Sequence, residues 1–402
     1  MTSKSEVFKI LIISFNFGRK FLQKGLKGYK LKKTDWKYNK IAIKVGSNVI
    51  TQCDGSLNVG RMLRIVEDVA VLSKQGLEVI LISSGAVAAG RNSVTPSRKT
   101  NIVSARQIWA AIGQVKLMST YQFLFGKYNI TAGQLLATKE SFSDRRHYLN
   151  MKNCISAMIE NNVLPVVNEN DTISINELMF TDNDELSGMI ASLMDTEALF
   201  ILSNVDGIYN GPPGSEGSEI LKEITRDTEN PEKFISSSKS GFGRGGMITK
   251  YSTARKIASE GIEVYIANGS RDSIVTDILR GRDVPFTHFI ASSNKKNSVR
   301  KWLYHSDTFA RGAVIINNGA KEVLLNDKVA SLLMIGVTKI EGSFKRGDII
   351  RILDEDGNTI GLGKSQYDSE KASFNIGEKQ SKPIIKYDYL VINEEINSIV
   401  QS

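Results

Sequence analysis

The sequence predicts an α/β fold, a three-layer sandwich with a mostly parallel central sheet, joined to a small β-barrel-like domain at the C-terminus. Three observations carry this prediction. Short apolar runs recur up to about residue 290, segments with helical spacing of apolar side chains separate them, and after about residue 295 short strands alternate with turn residues. Strands that are apolar on both faces and alternate with helices are typical of parallel sheets covered on both sides.

The elements of the α/β part follow in order from residue 40. We predict a strand at residues 41–45 and a helix at 58–75, which Gly76 ends because glycine readily adopts the left-handed conformation found after a helix. Further strands are predicted at residues 79–83, 163–167, 198–202 and 263–267. Ligands of parallel sheets bind beyond the carboxyl ends of the strands, so the polar residues after each strand are candidates for a site.

The C-terminal part of the sequence shows a different pattern of short strands separated by turn residues. Strands are predicted at residues 312–316, 322–325, 347–353 and 359–363, with Asp356-Gly357 as a hairpin turn. We therefore expect a linker near residues 292–297. The expected division is a disordered basic extension at 1–39, an α/β domain at 40–290 and a β domain at 296–390.

Composition narrows the function classes. The net charge of +9 resides in residues 1–40, and the rest of the chain is neutral, which argues against nucleic acid as the main partner. The apolar stretch at residues 10–17 is too short to span a membrane, so we expect no membrane partner. The two cysteines and three histidines are scattered, which disfavours a disulfide framework and a zinc site and favours the cytoplasm.

Two motifs after the first strands offer cationic and anion-binding groups. Lys44-Val-Gly-Ser-Asn48 places an ammonium group beside a loop that can approach a phosphate closely. Ser83-Ser-Gly85 follows the next strand and opens a helix of small residues, and a hydroxyl, a glycine backbone and a helix N-terminus together can seat an anion. A solvated lysine and tight helix–sheet packing are the structural alternatives.

Two acidic and amide-rich clusters come next. Asn168-Glu-Asn-Asp-Thr172 follows a strand, and Thr181-Asp-Asn-Asp-Glu185 lies shortly downstream. Their carboxylates and amides can bind an ammonium group or orient lysines, whereas the spacing does not fit a calcium loop. An Asx-rich turn is the structural alternative.

A glycine-rich segment, Gly241-Phe-Gly-Arg-Gly-Gly-Met-Ile-Thr-Lys250, and the segment Ser203-Asn-Val-Asp-Gly-Ile-Tyr209 form a second group. The first segment matches the spacing of a dinucleotide fingerprint but lacks the preceding strand, and it lacks the Gly-Lys-Ser/Thr of a P-loop. Its glycines, the following helix and the lysine still indicate a phosphate-binding loop, with a flexible surface loop as the alternative.

Taken in order, these motifs resemble the amino-acid kinase family from residue 40 to about residue 275, and the C-terminal β domain is similar to a PUA domain. The two Asn/Asp clusters are most similar to the branch that phosphorylates glutamate. The resemblance implies transfer of a phosphoryl group from ATP to the γ-carboxylate of L-glutamate, the first step of proline biosynthesis. It also implies proline as a feedback inhibitor and a homo-oligomer.

The resemblance assigns roles to the acceptor side. Lys44 and Lys250 would flank the transferring phosphoryl group, and Asp184 would hold both lysines. Ser84 and Gly85 would lie at the acceptor carboxylate. The residues expected to bind the amino-acid end of glutamate are Asp171 and Asn183.

The resemblance also assigns the nucleotide side. Ser203 and Asn204 would lie near the nucleotide, where many members carry Thr-Asp. Arg244 stands where a threonine is common, so nucleotide contacts are expected to differ at both places. The residues expected to contact ATP, with Lys44, are Arg244, Gly245, Gly246, Met247, Ile248, Thr249 and Lys250. Mg²⁺ would be bound through ATP oxygens and water, without a protein metal site. The alternatives are a kinase of another small carboxylate and an RNA-binding protein acting through the PUA-like domain.

Overall fold

The computed structural model of the chain describes residues 36–173, 180, 182–211, 215–225, 228, 246–293, 301–303, 309–326, 330–379 and 382–392. These residues form a larger α/β unit and a smaller β unit, as the sequence predicts. No helix among them is both long enough and apolar enough to cross a membrane. Most of the predicted basic extension lies outside the described residues, but Tyr38 is buried and its hydroxyl lies 2.7 Å from that of Tyr265.

The larger unit is built on a mostly parallel sheet. Its strands are β1 (Lys40–Val45), β2 (Glu78–Ser83), β3 (Thr131–Ala137), β4 (Val163–Glu169), β5 (Ala198–Ser203), β6 (Glu223–Ile224), β7 (Glu263–Asn268) and β8 (Phe286–Phe289). The order across the sheet is β3-β4-β2-β1-β5-β7-β8-β6. Neighbours from β3 to β7 are parallel, and β8 runs antiparallel to β7. The five strands predicted for this unit are confirmed, each extended by one or two residues.

Helices cover both faces of this sheet. They are α1 (Ser47–Ile50), α2 (Val59–Lys74), α3 (Ala86–Arg91), α4 (Ile102–Gly126), α5 (Glu140–Ser143), α6 (Arg145–Glu160), α7 (Asn183–Leu193), α8 (Met247–Ala258) and α9 (Ile274–Leu279). Within β1, Ile41 and Ile43 pack with α2, α4 and α9, whereas Ala42 faces α6, α7 and α8. Because both faces are apolar and covered, the predicted three-layer sandwich is confirmed.

The strand order creates a switch point at β1. The chain passes from β1 to β2 on one side and returns later to β5 on the other side. Crossover connections therefore diverge at the carboxyl end of β1, where Lys44 lies. Crevices at such points are where parallel α/β sheets bind ligands.

The smaller unit is a five-stranded sheet with helices packed on it. Its elements are β9 (Gly312–Ile316), α10 (Asn318–Asn326), β10 (Val337–Gly342), β11 (Ile349–Leu353), β12 (Thr359–Ser365), α11 (Ser369–Phe374) and β13 (Ile385–Ile392), in the sheet order β10-β9-β11-β12-β13. The predicted Asp356-Gly357 turn joins β11 to its antiparallel neighbour β12, and Gly357 has φ +83°.

The strand predicted at residues 322–325 is wrong, because this segment lies in α10. Asn317 Oδ1 accepts a hydrogen bond from the Ala320 backbone N–H at 2.9 Å, which caps the first turn of a helix. Ala320 and Leu324, four residues apart, both pack on the core. Three consecutive apolar residues, Val-Leu-Leu, fit a strand as well as a helix, so the helical spacing was not evident from the sequence.

The segment that follows the predicted linker contacts the larger unit. Residues 294–297 lie outside the described residues, but Trp302 Nε1 donates a hydrogen bond to the Phe142 carbonyl at 2.8 Å. Lys301 Nζ lies 3.0 Å from Asp195 Oδ1. Residues 301 and 302 are therefore held on the α/β core.

Candidate active site

The carboxyl ends of the central strands bring the predicted motifs together. Val45 is paired with Ser83 on one side and with Leu202 on the other. The backbone N–H of Gly46 donates to the Leu202 carbonyl at 3.0 Å, and a Cβ at Gly46 would lie 3.2 Å from that oxygen. The loops after β1, β2 and β5 thus meet in one crevice, and Gly46 allows their close approach.

Two lysines and one aspartate form the centre of this crevice. Lys44 Nζ lies 2.5 Å from Asp184 Oδ1, and Lys250 Nζ lies 2.9 Å from Asp184 Oδ2. Lys44 comes from β1, Asp184 from the first turn of α7 and Lys250 from the first turn of α8. We call these three residues the lysine–aspartate bridge. The structure brings together the three residues that were predicted to be catalytic.

Charge pairing dominates the electrostatics of the bridge. Asp184 is fully buried, and burial alone would raise the pKa of its carboxyl group. The ammonium groups of Lys44 and Lys250 outweigh that effect and lower the pKa of Asp184 to about 2. The carboxylate is therefore charged at neutral pH, and the three groups together carry one net positive charge.

Asp182 fixes the helix ends that carry the bridge. Its Oδ1 accepts hydrogen bonds from the backbone N–H groups of Asp184 (2.9 Å) and Glu185 (3.0 Å), which caps α7. Thr249 Oγ1, in the first turn of α8, lies 2.8 Å from Asp182 Oδ2. Burial and the neighbouring carboxylate of Asp184 raise the pKa of Asp182. Asp182 lies inside a motif quoted above, but its capping role was not predicted.

The acceptor side of the crevice holds a hydroxyl and two amides. Asn183 Nδ2 donates to Ser84 Oγ at 2.8 Å and to Asn168 Oδ1 at 3.0 Å. Asn183 is the first residue of α7, so it projects from the same turn as Asp184. The predicted substrate residues Ser84 and Asn183 are therefore in direct contact, one residue from the lysine–aspartate bridge.

Gly85 gives this loop its shape. Its φ of +100° lies in the left-handed region, and a Cβ there would lie 3.2 Å from Ile50 Cδ1. The residue precedes α3, whose first turn has no side-chain cap. The backbone beside Ser84 is therefore available to a ligand, and the substrate-binding role of Gly85 stays a prediction.

Asp171 is held by an arginine that sequence reasoning did not predict. Arg106 Nη2 and Nε donate to Asp171 Oδ1 at 2.6 Å and 3.2 Å. Asp171 is buried, whereas Arg106 is partly exposed in the first half of α4. Because both contacts fall on one oxygen, the other carboxylate oxygen is left for a further donor.

The nucleotide side is described in part. Gly246 precedes α8 without a side-chain cap, so the backbone N–H groups of Met247 and Ile248 stand at an uncapped, positively polarised helix end. Arg244 and Gly245 lie outside the described residues. The Thr249 hydroxyl contacts Asp182, so this side chain links the first turn of α8 to the cap of α7.

Ser203 and Asn204 end β5 on the other side of Lys44. Ser203 is buried and its Oγ donates to Asn204 Oδ1 at 3.4 Å, while Asn204 is exposed. Beyond them, Asp206 accepts from Arg271 Nε at 3.0 Å and from Asn268 Nδ2 at 3.1 Å. Asp206 was quoted in a motif but not predicted as a site residue. Its pairing ties the loops after β5 and β7 together.

The residues of the site are not arranged as a metal centre. In the part of the chain that the structure describes, no group of three or more His, Cys, Asp or Glu residues could hold a metal ion. The oxygens of Asp184 already face two lysines, and those of Asp182 face backbone N–H groups and a threonine hydroxyl. The donor set is therefore suited to anionic phosphates.

Comparison with known proteins agrees with this geometry. The profile of the amino acid kinase family matches residues 39–268, and the PUA domain profile matches residues 312–382. A protein of Bacteroides thetaiotaomicron named Glutamate 5-kinase is 52% identical over 358 residues, covering 88% of this chain and 99% of that protein. A Glutamate 5-kinase of Chlorobaculum tepidum is 46% identical and covers 88% of this chain and 98% of that protein.

Among solved structures, carbamate kinase from Giardia lamblia bound to AMP-PNP is 16% identical, with a TM-score of 0.48, and covers 64% of this chain and 99% of that one. This likeness concerns the fold, whereas the relatives share about half of their residues with this chain. The chain belongs to the amino acid kinase family, and its relatives in that family include proteins named glutamate 5-kinase.

Proposed function

We propose that this protein transfers the γ-phosphoryl group of ATP to the γ-carboxylate of L-glutamate, giving L-glutamyl 5-phosphate and ADP. This reaction is the first step of proline biosynthesis. The observation that carries the proposal is the lysine–aspartate bridge, which lies between a loop that can seat phosphates and a pocket with groups for an amino acid. The relatives named Glutamate 5-kinase support the same acceptor.

Phosphoryl transfer requires positioning and charge neutralisation more than covalent chemistry by the protein. The γ-phosphate and the acceptor carboxylate are both anionic, so their approach needs cations on the line of transfer. Lys44 and Lys250 supply two ammonium groups, and an ammonium group has three N–H donors, so each lysine can hold Asp184 and a phosphoryl oxygen at once. Asp184 keeps the two cations together, and it also lessens their mutual repulsion before substrates bind.

The acceptor is oriented by the polar groups beside the bridge. Ser84 and the backbone after Gly85 would donate hydrogen bonds to the γ-carboxylate. Asp171 and Asn183 would accept hydrogen bonds from the α-ammonium group. Attack by a carboxylate oxygen on the γ-phosphorus would then form the new P–O bond as the bond to ADP breaks, with no proton transfer needed at the carboxylate.

ATP is expected at the uncapped N-terminus of α8 and the loops after β1 and β5. Residues 244–250, Lys44, Ser203 and Asn204 would contact it. The carboxylates of Asp184 and Asp182 are committed to lysines and helix ends, so Mg²⁺ would be bound by phosphate oxygens and water and would neutralise phosphate charge.

Several further expectations stand as proposals beside the activity. We propose residues 1–39 as an extension, 40–290 as the kinase domain and 296–390 as the PUA domain. We also propose a cytoplasmic homo-oligomer that is inhibited by proline. The exposed apolar side chains Ile108, Val115 and Phe123 on α4 support self-association.

Trapping of the acyl phosphate tests the activity. Purified protein is incubated with ATP and Mg²⁺, hydroxylamine is added to form the hydroxamate, and L-glutamate is compared with L-aspartate and N-acetyl-L-glutamate. We expect turnover with glutamate and at most traces with the others. Turnover with aspartate or acetylglutamate but not with glutamate would assign the protein to another small carboxylate.

A further inference from the structure

A series of hydrogen-bonded amides runs from the edge strand of the sheet to the acceptor serine. Gln114 Nε2 donates to Gln134 Oε1 at 3.2 Å, and Asn168 Nδ2 donates to Gln114 Oε1 at 2.8 Å. Asn183 Nδ2 then donates to Asn168 Oδ1 at 3.0 Å and to Ser84 Oγ at 2.8 Å. We name Gln134, Gln114, Asn168 and Asn183 the amide relay.

The middle of the relay is buried. Gln114 is 8% exposed and Asn168 is 2% exposed, while Gln134 at the outer end is exposed. A buried amide costs free energy unless its donors and acceptors are paired. Here Gln114 and Asn168 satisfy each other, so removal of one leaves a buried group of the other without its partner.

The relay has a direction. In each of Gln114 and Asn168 the oxygen accepts from the residue nearer the site and the nitrogen donates to the residue farther from it. An amide that flipped would place oxygen against oxygen or nitrogen against nitrogen. Asn168 Oδ1 also accepts from the Glu169 backbone N–H at 2.9 Å, so this N–H and Gln114 together hold the orientation of Asn168, which in turn orients Asn183.

The direction determines which atoms a substrate meets. Both N–H bonds of Asn183 have protein acceptors in Asn168 and Ser84, so its carbonyl oxygen is the atom left for a ligand. Ser84 Oγ accepts from Asn183, so its own hydrogen can be donated to a substrate oxygen. The site thus offers a donor to a carboxylate and an acceptor to an ammonium group.

We propose that Gln114 is a positioning residue for the acceptor, acting through the amide relay to set this polarity. The inference rests on the proposed function, because it takes L-glutamate as the acceptor. Gln114 itself lies two residues away from the substrate along the relay, so its effect should concern recognition of glutamate. The relay ends at Ser84 on the acceptor side of the crevice, so KM for ATP should respond less.

The test is the Gln114→Met variant, which keeps the volume and removes the amide. We expect KM for L-glutamate to rise about tenfold and KM for ATP to change by less than about twofold. The preference for glutamate over glutarate, which lacks the ammonium group, should fall about tenfold. Gln114→Glu keeps an acceptor for Asn168 and should hold KM for glutamate within about threefold of wild type. Gln122→Met, an exposed position on α4, is the control and should behave as wild type.

Unchanged KM for glutamate and unchanged preference over glutarate in Gln114→Met would overturn the proposal. An equal rise in both KM values would also overturn it, since that indicates a general disturbance. If Gln114→Met does not fold, the exposed Gln134→Met is measured instead, and an unchanged preference there overturns the proposal. If the wild-type protein does not phosphorylate glutamate, the proposed function fails together with the inference. If the wild type turns over glutamate and the variants behave like it, only the positioning role of Gln114 fails.

Discussion

Replacement of Asp184 by asparagine removes the negative charge between two buried ammonium groups while keeping the side-chain shape. The fall of the Asp184 pKa from 3.8 to about 2 corresponds to about 2–3 kcal/mol in favour of the charged carboxylate, at about 1.4 kcal/mol for each pH unit. Removal of one member of a buried ion pair typically costs about 3–5 kcal/mol. We therefore expect Asp184→Asn to lower the free energy of unfolding by about 3 kcal/mol at pH 7.

The lowered pKa of Asp184 also determines how the loss of stability in Asp184→Asn depends on pH. A carboxyl group whose pKa is lowered by folding stabilises the folded state above its unfolded pKa, and that contribution disappears as the pH falls through the folded pKa. The difference in stability between wild type and Asp184→Asn should therefore be complete above about pH 4 and should shrink toward pH 2.

Asp195 offers a matched control, because it also faces two lysines. Lys152 Nζ lies 2.7 Å from its Oδ2 and Lys301 Nζ lies 3.0 Å from its Oδ1, but the Asp195 side chain is 49% exposed and remote from the crevice. Lys301 is buried, but solvent reaches and screens the Asp195 carboxylate, so Asp195→Asn should cost about 1 kcal/mol, less than Asp184→Asn. It should leave turnover unchanged.

The assays are urea unfolding followed by tryptophan fluorescence and the hydroxamate assay with ATP and L-glutamate. Asp184→Asn should lose about a thousandfold in kcat, since both lysines lose the group that holds them. Retention of more than about a tenth of wild-type kcat in Asp184→Asn would contradict the role of the lysine–aspartate bridge. An equally inactive Asp195→Asn would contradict it as well, because the effect would then not depend on the site.

Three further predictions concern the acceptor side of the site and the proposed oligomer. Ser84→Ala should raise KM for L-glutamate about tenfold with KM for ATP unchanged, because only the acceptor carboxylate loses a donor, and an equal effect on both constants contradicts this role. Arg106→Met should weaken glutamate binding because Asp171 loses the arginine that holds it, and Arg106→Lys should recover part of the binding. Full activity in Arg106→Met would show that Asp171 does not need Arg106. Phe123→Glu should dissociate the proposed oligomer in size-exclusion chromatography, whereas Gln122→Glu should not, and an unchanged elution volume places the interface elsewhere.

Elements whose pattern lies within a short stretch of sequence could be predicted. The strands of the central sheet are continuous apolar runs, and Gly76 ends the first long helix with φ +92°. Strand β3 was not predicted, because Thr131 and Gln134 are exposed on an edge strand and interrupt its apolar pattern. The helix α10 was mistaken for a strand because three apolar residues in a row fit either period.

The candidate site was predictable where a motif follows a strand, and the bridge of Lys44, Asp184 and Lys250 is the clearest instance. Arg106 and Gln114 were not predictable in this way. They reach Asp171 and Asn168 over 65 and 54 residues of sequence, from a helix that carries no recognisable motif. Such partners depend on how α4 packs against the sheet, which no local pattern reveals.

Replacement of Lys250 is the sharpest check on the proposed phosphoryl transfer. The measurement is kcat for the hydroxamate assay in Lys250→Met, compared with Lys256→Met on the same helix, with circular dichroism to confirm that both variants fold. If Lys250 neutralises the transferring phosphoryl group, Lys250→Met should lose about a thousandfold in kcat and Lys256→Met should turn over glutamate normally. A folded Lys250→Met that keeps kcat within tenfold of wild type contradicts the account.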